Sequence, residues 1–484
     1  MKILLAGYNV DYNLLCELKE KSALKQDITP ETISAAYARI SRSPKPVDEL
    51  RFDARAEVEK ARRSNRNIVF EMGHSSVAEH AVFNIDVIGV SRLLTEEIEK
   101  FRLCSYTEKS QRYVLFDKDF VVPEEIVGAG LKDVFIETVG MQNNFYRHLY
   151  EQLRPYVFEQ NQALAENPAN KSMLEGWAKE DARYAIALAT ETQLGMTINA
   201  RNLELMLRRL AALPLAEARL YSEKLYAATR DIAPSLIRYT EATDYDRYTR
   251  RNLRAIGENL PQPKENKAQD VCLISATRDA DTEAVAALLF ASSGLNYEHC
   301  LRQAGRMSPR DAKALFRTVF ENIQSYDAVL RELENVDLLF ELVMSASCFA
   351  QLKRHRMSTI VSQDYDPSLG VTVPQAVRAI GQQKEFMAMI KKTNSVYALI
   401  REKNPDAAAY VLTNAHRKRV LMKLNARELY HLARLRADQH AQWDIRELSE
   451  KMLKQARKVM PLTLMMACGK DGFAARRKKY FPRT

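Results

Sequence analysis

The chain restarts partway along, and that limits what it can fold into more than any other feature. Tyr221-Ser222-Glu223-Lys224 and Arg230 return as Leu448-Ser449-Glu450-Lys451 and Arg457, a spacing of 227 residues (448 minus 221) that Pro234 and Pro461 also keep. Near the front of each stretch, Lys2–Ala6 is echoed by Val271–Ala276. Likewise Pro30-Glu31-Thr32-Ile33-Ser34 is echoed by Asp281-Thr282-Glu283-Ala284-Val285. A repeat of roughly two hundred residues is the size of one domain. At 484 residues the chain is too long for one ordinary core. Two diverged copies, each with its own core, are expected.

Local patterns fill in each copy. Lys2–Ala6 reads as a strand, and Pro30–Ile40 and Val47–Arg63 read as helices. Ala81–Val90 alternates apolar and polar residues like a half-buried strand. Val134–Arg154 and Leu215–Ile232 have the periodicity of amphipathic helices, the second opened by Pro214 and closed before Pro234. Residues 240–268 are polar, with Arg250-Arg251, Gly257, Pro261 and Pro263. They suggest a first domain over 1–245, a linker over 246–268 and a second domain over 269–484.

Composition narrows the functional classes. A chain 46% hydrophobic and 28% charged fits a soluble globular protein. No apolar run is long enough to span a bilayer, and Met1–Gly7 is too short for a secretory leader. The six cysteines are scattered without a C-x-x-C pair, which argues against zinc and disulfides and for a reducing cytoplasm. A net charge of +10 favours anionic ligands. Part of that charge is Arg476-Arg477-Lys478-Lys479, read as a solvated end.

Three stretches carry chemistry. Gln351-Leu352-Lys353-Arg354-His355-Arg356 follows the apolar run Val343–Ala350. Cations at the edge of a buried segment cost desolvation unless an anion meets them. Two guanidiniums flanking an imidazole suit a phosphate or an electron-rich ring. In the first copy, Glu108, Ser110 and Arg112 group an acceptor, a hydroxyl and a guanidinium, as a phosphate and a ribose require. In the second copy, Asn425-Ala426-Arg427-Glu428-Leu429-Tyr430-His431 continues to Arg436 and His440. Its leucines mark a buried helical stripe, while His431, Arg436 and His440 recur at helical spacings near one side.

These stretches resemble the flavin-dependent thymidylate synthases. That family's motif is Arg-His-Arg, seven residues, then Ser. The second copy keeps Gln351 and Arg354-His355-Arg356 but has Asp364 and Asp366 where Ser and Arg are expected. The first copy has Gly73-His74-Ser75-Ser76-Val77-Ala78-Glu79-His80 and Ser110-Gln111-Arg112-Tyr113, which match the family, but Glu97 and Lys100-Phe101-Arg102 replace Gln and Arg-His-Arg. Asn199-Ala200-Arg201-Asn202-Leu203 and Asn425-Ala426-Arg427-Glu428-Leu429 both match the family's Asn-Ala-Arg-x-Leu. The family's catalytic arginine, eleven residues on, is Arg436 in the second copy and Leu210 in the first.

The resemblance implies an α+β fold: two tandem domains, each a mainly antiparallel sheet with helices. It implies FAD as cofactor, NADPH as reductant and methylenetetrahydrofolate as the one-carbon donor to C5 of dUMP. Arg436 takes the catalytic role. Arg354, His355, Arg356, Asn425, Arg427 and His431, with His74, Ser76, Glu108, Asn199 and Arg201, are the cofactor-binding set. Gln351, Arg354, Glu108, Ser110, Arg112, Arg183 and Arg436 are the nucleotide-binding set. The family arginine at Arg183 is Ala409 in the second copy. Family members are tetramers with sites shared between subunits, so the two copies are expected to build one composite site and the chain to form a homodimer. No metal, membrane or nucleic-acid partner is implied. The alternatives are a flavoprotein acting on another pyrimidine, and a non-catalytic nucleotide- or RNA-binding homologue.

Overall fold

The computed structural model describes residues 1–484 except 21–28, 41–42, 113, 116–118, 262–268 and 483–484. β1 (Lys2–Tyr8), β2 (Val82–Ser91), β3 (Ser105–Glu108) and β4 (Glu191–Asn199) form an antiparallel sheet in the order β1-β2-β4-β3. β5 (Val271–Ala276), β6 (Asp337–Ser345), β7 (Thr359–Tyr365) and β8 (Arg417–Asn425) repeat it as β5-β6-β8-β7. The fold class is α+β, as the sequence implies.

Strand alternation sets the cores. Phe83, Ile85 and Val87 of β2 are buried while Asn84 and Asp86 face outward, because successive side chains leave opposite faces of a strand. Helix Ala200–Ala211 lays Leu203, Met206, Leu207 and Leu210 into the same cluster, at the spacing of one helix face. In the second sheet Phe340, Leu342, Val420 and Met422 meet Leu429, Leu432 and Ala433 of helix Ala426–Arg436. The repeats differ at Gly89, where the β2–β4 register shifts and φ is +73°. A Cβ there would lie 3.3 Å from the Met1 nitrogen, so glycine fits the bulge. The β6–β8 ladder runs without such a shift.

Contacts divide the chain into two compact units, and each takes segments from both repeats. The first holds Met1–Lys179, Ile186–Pro263 and Glu385–Leu412; the second holds Glu180–Ala185, Lys264–Lys384 and Thr413–Thr484. Within the first, Gln142 on helix Lys132–Gln160 donates to Thr393 Oγ1 on helix Gln383–Lys403 and to Val411 O, each at 2.9 Å. Each unit also closes on an acid, buried Glu217 in the first and half-buried Asp444 in the second. In the first, Glu217 accepts from Ser91 N, Ser91 Oγ and Tyr410 O–H, each at 2.7 Å. In the second, Asp444 accepts from Ser345 Oγ and, at 2.9 Å, from Tyr184 O–H. Glu217 and Asp444 stand 227 residues apart, the repeat spacing, and each tyrosine comes from the other repeat. Burial pushes both carboxyl pKa values up, opposed by these hydrogen bonds.

Three stretches carry local structure that the sequence patterns do not show. The helix expected over Val47–Arg63 breaks at Glu57, at φ −130°, into Val47–Ala56 and Val58–Arg66, then continues as a π turn over Asn67–Glu71. The polar stretch read as linker contains helix Asp244–Glu258, started by a capping box between Thr243 and Asp246. Its residues 262–268 lie outside the described residues. Arg476 and Arg477 do not form a solvated end: on helix Phe473–Tyr480 they donate to the carbonyls of Met465 and Ile323. Among the described residues, no helix is long and apolar enough to cross a membrane.

His416 ties this fold to pH. It is fully buried, its Nδ1 accepts from Thr413 N at 2.9 Å, and burial lowers its pKa to about 4. The unfolded chain, with an ordinary value near 6.5, binds more protons between these limits, so acidification favours unfolding. Stability should fall as pH drops below about 6.5, with a loss of about 2 kcal/mol from this group by pH 5. Urea unfolding at pH 7.5 and 5.0 should show that slope, and His416→Gln should flatten it.

Candidate functional site

In the second unit the site grows from two capped helices. β6 runs into helix Ala346–Leu352, whose first turn is capped by Ser345 Oγ accepting from Cys348 N at 3.0 Å. The helix ends in a turn, with His355 N bonded to Leu352 O and Ser358 N to His355 O. That turn buries Lys353 and His355, exposes Arg354 and leaves Arg356 half-buried before β7 begins. β8 delivers Asn425, whose side chain caps helix Ala426–Arg436 by accepting from Glu428 N at 2.8 Å.

The two helices meet at His355. Its Nδ1 lies 3.3 Å from Glu428 Oε1, and Arg436 Nε donates to its Nε2 at 3.1 Å. Arg436 can only donate, so Nε2 must be the acceptor and Nδ1 must carry the proton. Burial lowers the His355 pKa, opposed by the Glu428 hydrogen bond, and the Arg436 charge lowers it further. The imidazole is therefore neutral near pH 7 and orients the guanidinium. Arg436 Nη2 also donates to Gln351 O at 3.2 Å. Both ring nitrogens of His355, a residue expected at the cofactor, are engaged within the protein.

A polar chain runs behind Gln351. Its Nε2 donates to Gln442 Oε1 at 3.3 Å, and Gln442 Nε2 donates to the Tyr184 hydroxyl at 3.0 Å. Tyr184 in turn donates to Asp444. Trp443 stacks on Tyr184 with ring centroids 5.5 Å apart, and its Nε1 donates to Asp181 at 2.7 Å. Burial raises the Asp181 pKa to about 7. Arg183 is buried in this same unit, with its carbonyl accepting from Asn414 Nδ2. Tyr184, Gln442 and Asp444 were not identified from the sequence, although the 227-residue spacing of Glu217 and Asp444 could have revealed Asp444.

Beside this cluster lies a cavity of about 270 Å³, lined by Asn425, Arg427, His431 and Arg434 with Met357 and Phe473. Arg427 donates to Val329 O and Glu334, both at 2.9 Å, and Arg434 donates to the carbonyls of Ser325 and Asp327. These arginines hold the loop over the cavity. His431 is exposed, and its ring lies 5.7 Å from that of His355. Apolar walls with amide and imidazole groups at the rim fit a planar heteroaromatic ring, such as the ring portion of a flavin. Tyr326, at the position of the family histidine, is 79% exposed.

The first unit places its expected residues as follows. Glu108 pairs with Arg92, with both side chains only 3% exposed, and Thr192 Oγ1 donates to Glu108 at 3.3 Å. Burial opposes the Arg92 charge, but Glu108 outweighs it and raises that pKa. Ser110 Oγ accepts from Arg112 N at 3.1 Å. Asn199 caps helix Ala200–Ala211 through Asn202 N at 3.0 Å, and Arg201 pairs with Glu79. His74 and Ser76 are exposed where the 3-10 turn Ser75–His80 begins. Leu210 is in the core, and the neighbouring Arg209 pairs with Asp246 at 3.2 Å. In the second copy Asp366 caps the turn Pro367–Leu369 through Ser368 N.

A family model described as thymidylate synthase complementing protein matches residues 23–235 and 272–462, one match in each repeat. The chain belongs to that family, as a tandem pair of its domains. The UPF0159 proteins of Chlamydia muridarum and Thermoplasma acidophilum are each 24% identical to it. They align over 83% and 88% of this chain and 80% and 93% of their own lengths. A flavin-dependent thymidylate synthase of Clostridium tetani is 31% identical over 217 residues, covering 44% of this chain and 82% of that protein.

Proposed function

We propose that this protein is a flavin-dependent thymidylate synthase, methylating dUMP at C5 with methylenetetrahydrofolate as donor and NADPH as reductant. The observation that carries this reading is the Gln351–Arg436–His355–Glu428 cluster, which fixes a guanidinium in one orientation before any ligand arrives. A uracil becomes nucleophilic at C5 as negative charge builds at N3 and O4, and a preoriented cation stabilises that charge. Asn425, Arg427 and His431 would hold FAD at the cavity, with Arg354 and Arg356 placed for phosphate groups. Bound flavin supplies the redox step and the transfer of the one-carbon unit. In this reading Arg183 and the run Glu108, Ser110 and Arg112 bring nucleotide contacts from the first repeat, and two chains make the equivalent of a family tetramer.

The polar chain gives Gln351 a polarity. With Nε2 donated to Gln442, its Oε1 is left as the acceptor, and among the described residues nothing is bonded to it. An acceptor there selects a ligand edge that carries a donor, such as the N3–H of uracil, over the N3 lone pair of cytosine. Tyr184→Phe removes the hydroxyl that pins Gln442. It should raise KM for dUMP about tenfold and reduce discrimination against dCMP, while kcat changes less.

The test is to incubate the full chain with FAD, NADPH, methylenetetrahydrofolate and dUMP and look for dTMP by mass spectrometry. Protein that takes up FAD but methylates a different pyrimidine would favour the second reading, which the exposed Tyr326 and the Ala409 substitution support. Protein that takes up no FAD would favour a binding protein without catalysis.

A further inference from the structure

The first unit carries a second cavity, of about 490 Å³, far more basic than the first. Arg63, Arg66 and Arg238 line it together with Glu71, Phe70 and Ile237. Arg63 and Arg66 are one turn apart on helix Val58–Arg66, so they share a face. Among the described residues neither is paired with a carboxylate, whereas Arg62 beside them pairs with Glu31 and Glu59. Arg238 is fixed in place: its guanidinium lies over Phe70 at 5.4 Å and over Tyr239 at 5.3 Å. The backbone nitrogens of Arg238 and Tyr239 donate to Glu204 at 2.7 and 2.9 Å. The one carboxylate on the cavity is Glu71, 3.5 Å from Arg238, and both of those side chains are more than half exposed.

Three guanidiniums against one carboxylate leave this concavity with excess positive charge, and a concave wall strengthens the field that charge produces. The fold does not need cations there. At the repeat spacing Arg238 corresponds to Met465, which is buried in the core of the second unit. We propose that this cavity binds a compact oligophosphate, of the pyrophosphate type found in nucleoside di- and triphosphates. Planar donor forks approaching from two walls match several phosphate oxygens at once, which a single carboxylate cannot offer.

Calorimetric titration of the full chain with inorganic pyrophosphate at low ionic strength tests this directly. Binding should be the same in wild type and Arg436→Ala, weaken about tenfold in Arg66→Ala, and vanish in Arg63→Ala/Arg66→Ala. It should be unchanged in Arg278→Ala, whose side chain is 96% exposed elsewhere. Unchanged affinity in the double variant, or equal loss in Arg278→Ala, would overturn the site. Orthophosphate binding as tightly as pyrophosphate would overturn the assigned ligand class. Since Arg63 and Arg66 are exposed, unchanged melting temperatures should accompany the losses.

Discussion

Arg436→Ala should lower the rate of dUMP methylation by about a hundred- to a thousandfold, the usual effect of removing one preoriented donor from developing negative charge. The chain should stay folded, since Arg436 is only half-buried and its loss empties no apolar core. Arg436→Lys should recover little. An ammonium cannot span His355 Nε2 and Gln351 O with the same planar fork that Arg436 now uses. His355→Ala should have a milder effect, because it frees the guanidinium to rotate without removing it. Stopped-flow or steady-state rates, with folding checked by thermal melting, separate these outcomes.

Glu217→Ala should cost about 3–5 kcal/mol of stability, the largest loss expected from one side chain here. It leaves Ser91 N, Ser91 Oγ and Tyr410 O–H without their shared acceptor in a buried site. Tyr410→Phe, which removes one of those bonds, should cost about 1–2 kcal/mol. Tyr410 belongs to the second repeat, so both losses should appear in the same urea transition, that of the first unit. If that transition did not move, the exchange of segments between repeats would not be holding the unit together.

The sequence showed the repeat and three of the eight described strands, β1, β2 and β5, because strand alternation and the 227-residue period are local or arithmetic signals. It did not show that Tyr184 and Tyr410 would close the unit formed mainly by the other repeat, since neither carries any mark of its destination. Helix Asp244–Glu258 carries Tyr245, Tyr248, Leu253 and Ile256 at near-helical spacing but exposes them all, and the charges and nearby Gly257, Pro261 and Pro263 make the stretch read as a linker. The family motif marks Asn199 and Asn425 as cofactor-binding residues, and the fold adds what the motif does not show, that each also caps a helix. His355 was legible as functional from its two flanking arginines. Its role in orienting Arg436 depends on a helix eighty residues further on, and only the folded chain brings the two together.

Tritium release from 5-tritiated dUMP tests the central claim most directly. In the presence of FAD, NADPH and methylenetetrahydrofolate, wild-type protein should release tritium to water, and both Arg436→Ala and Arg112→Ala should nearly abolish the release. Lys100→Ala and Asp364→Ala should leave it intact. Full release from Arg436→Ala, or equal loss from Lys100→Ala, would contradict the account.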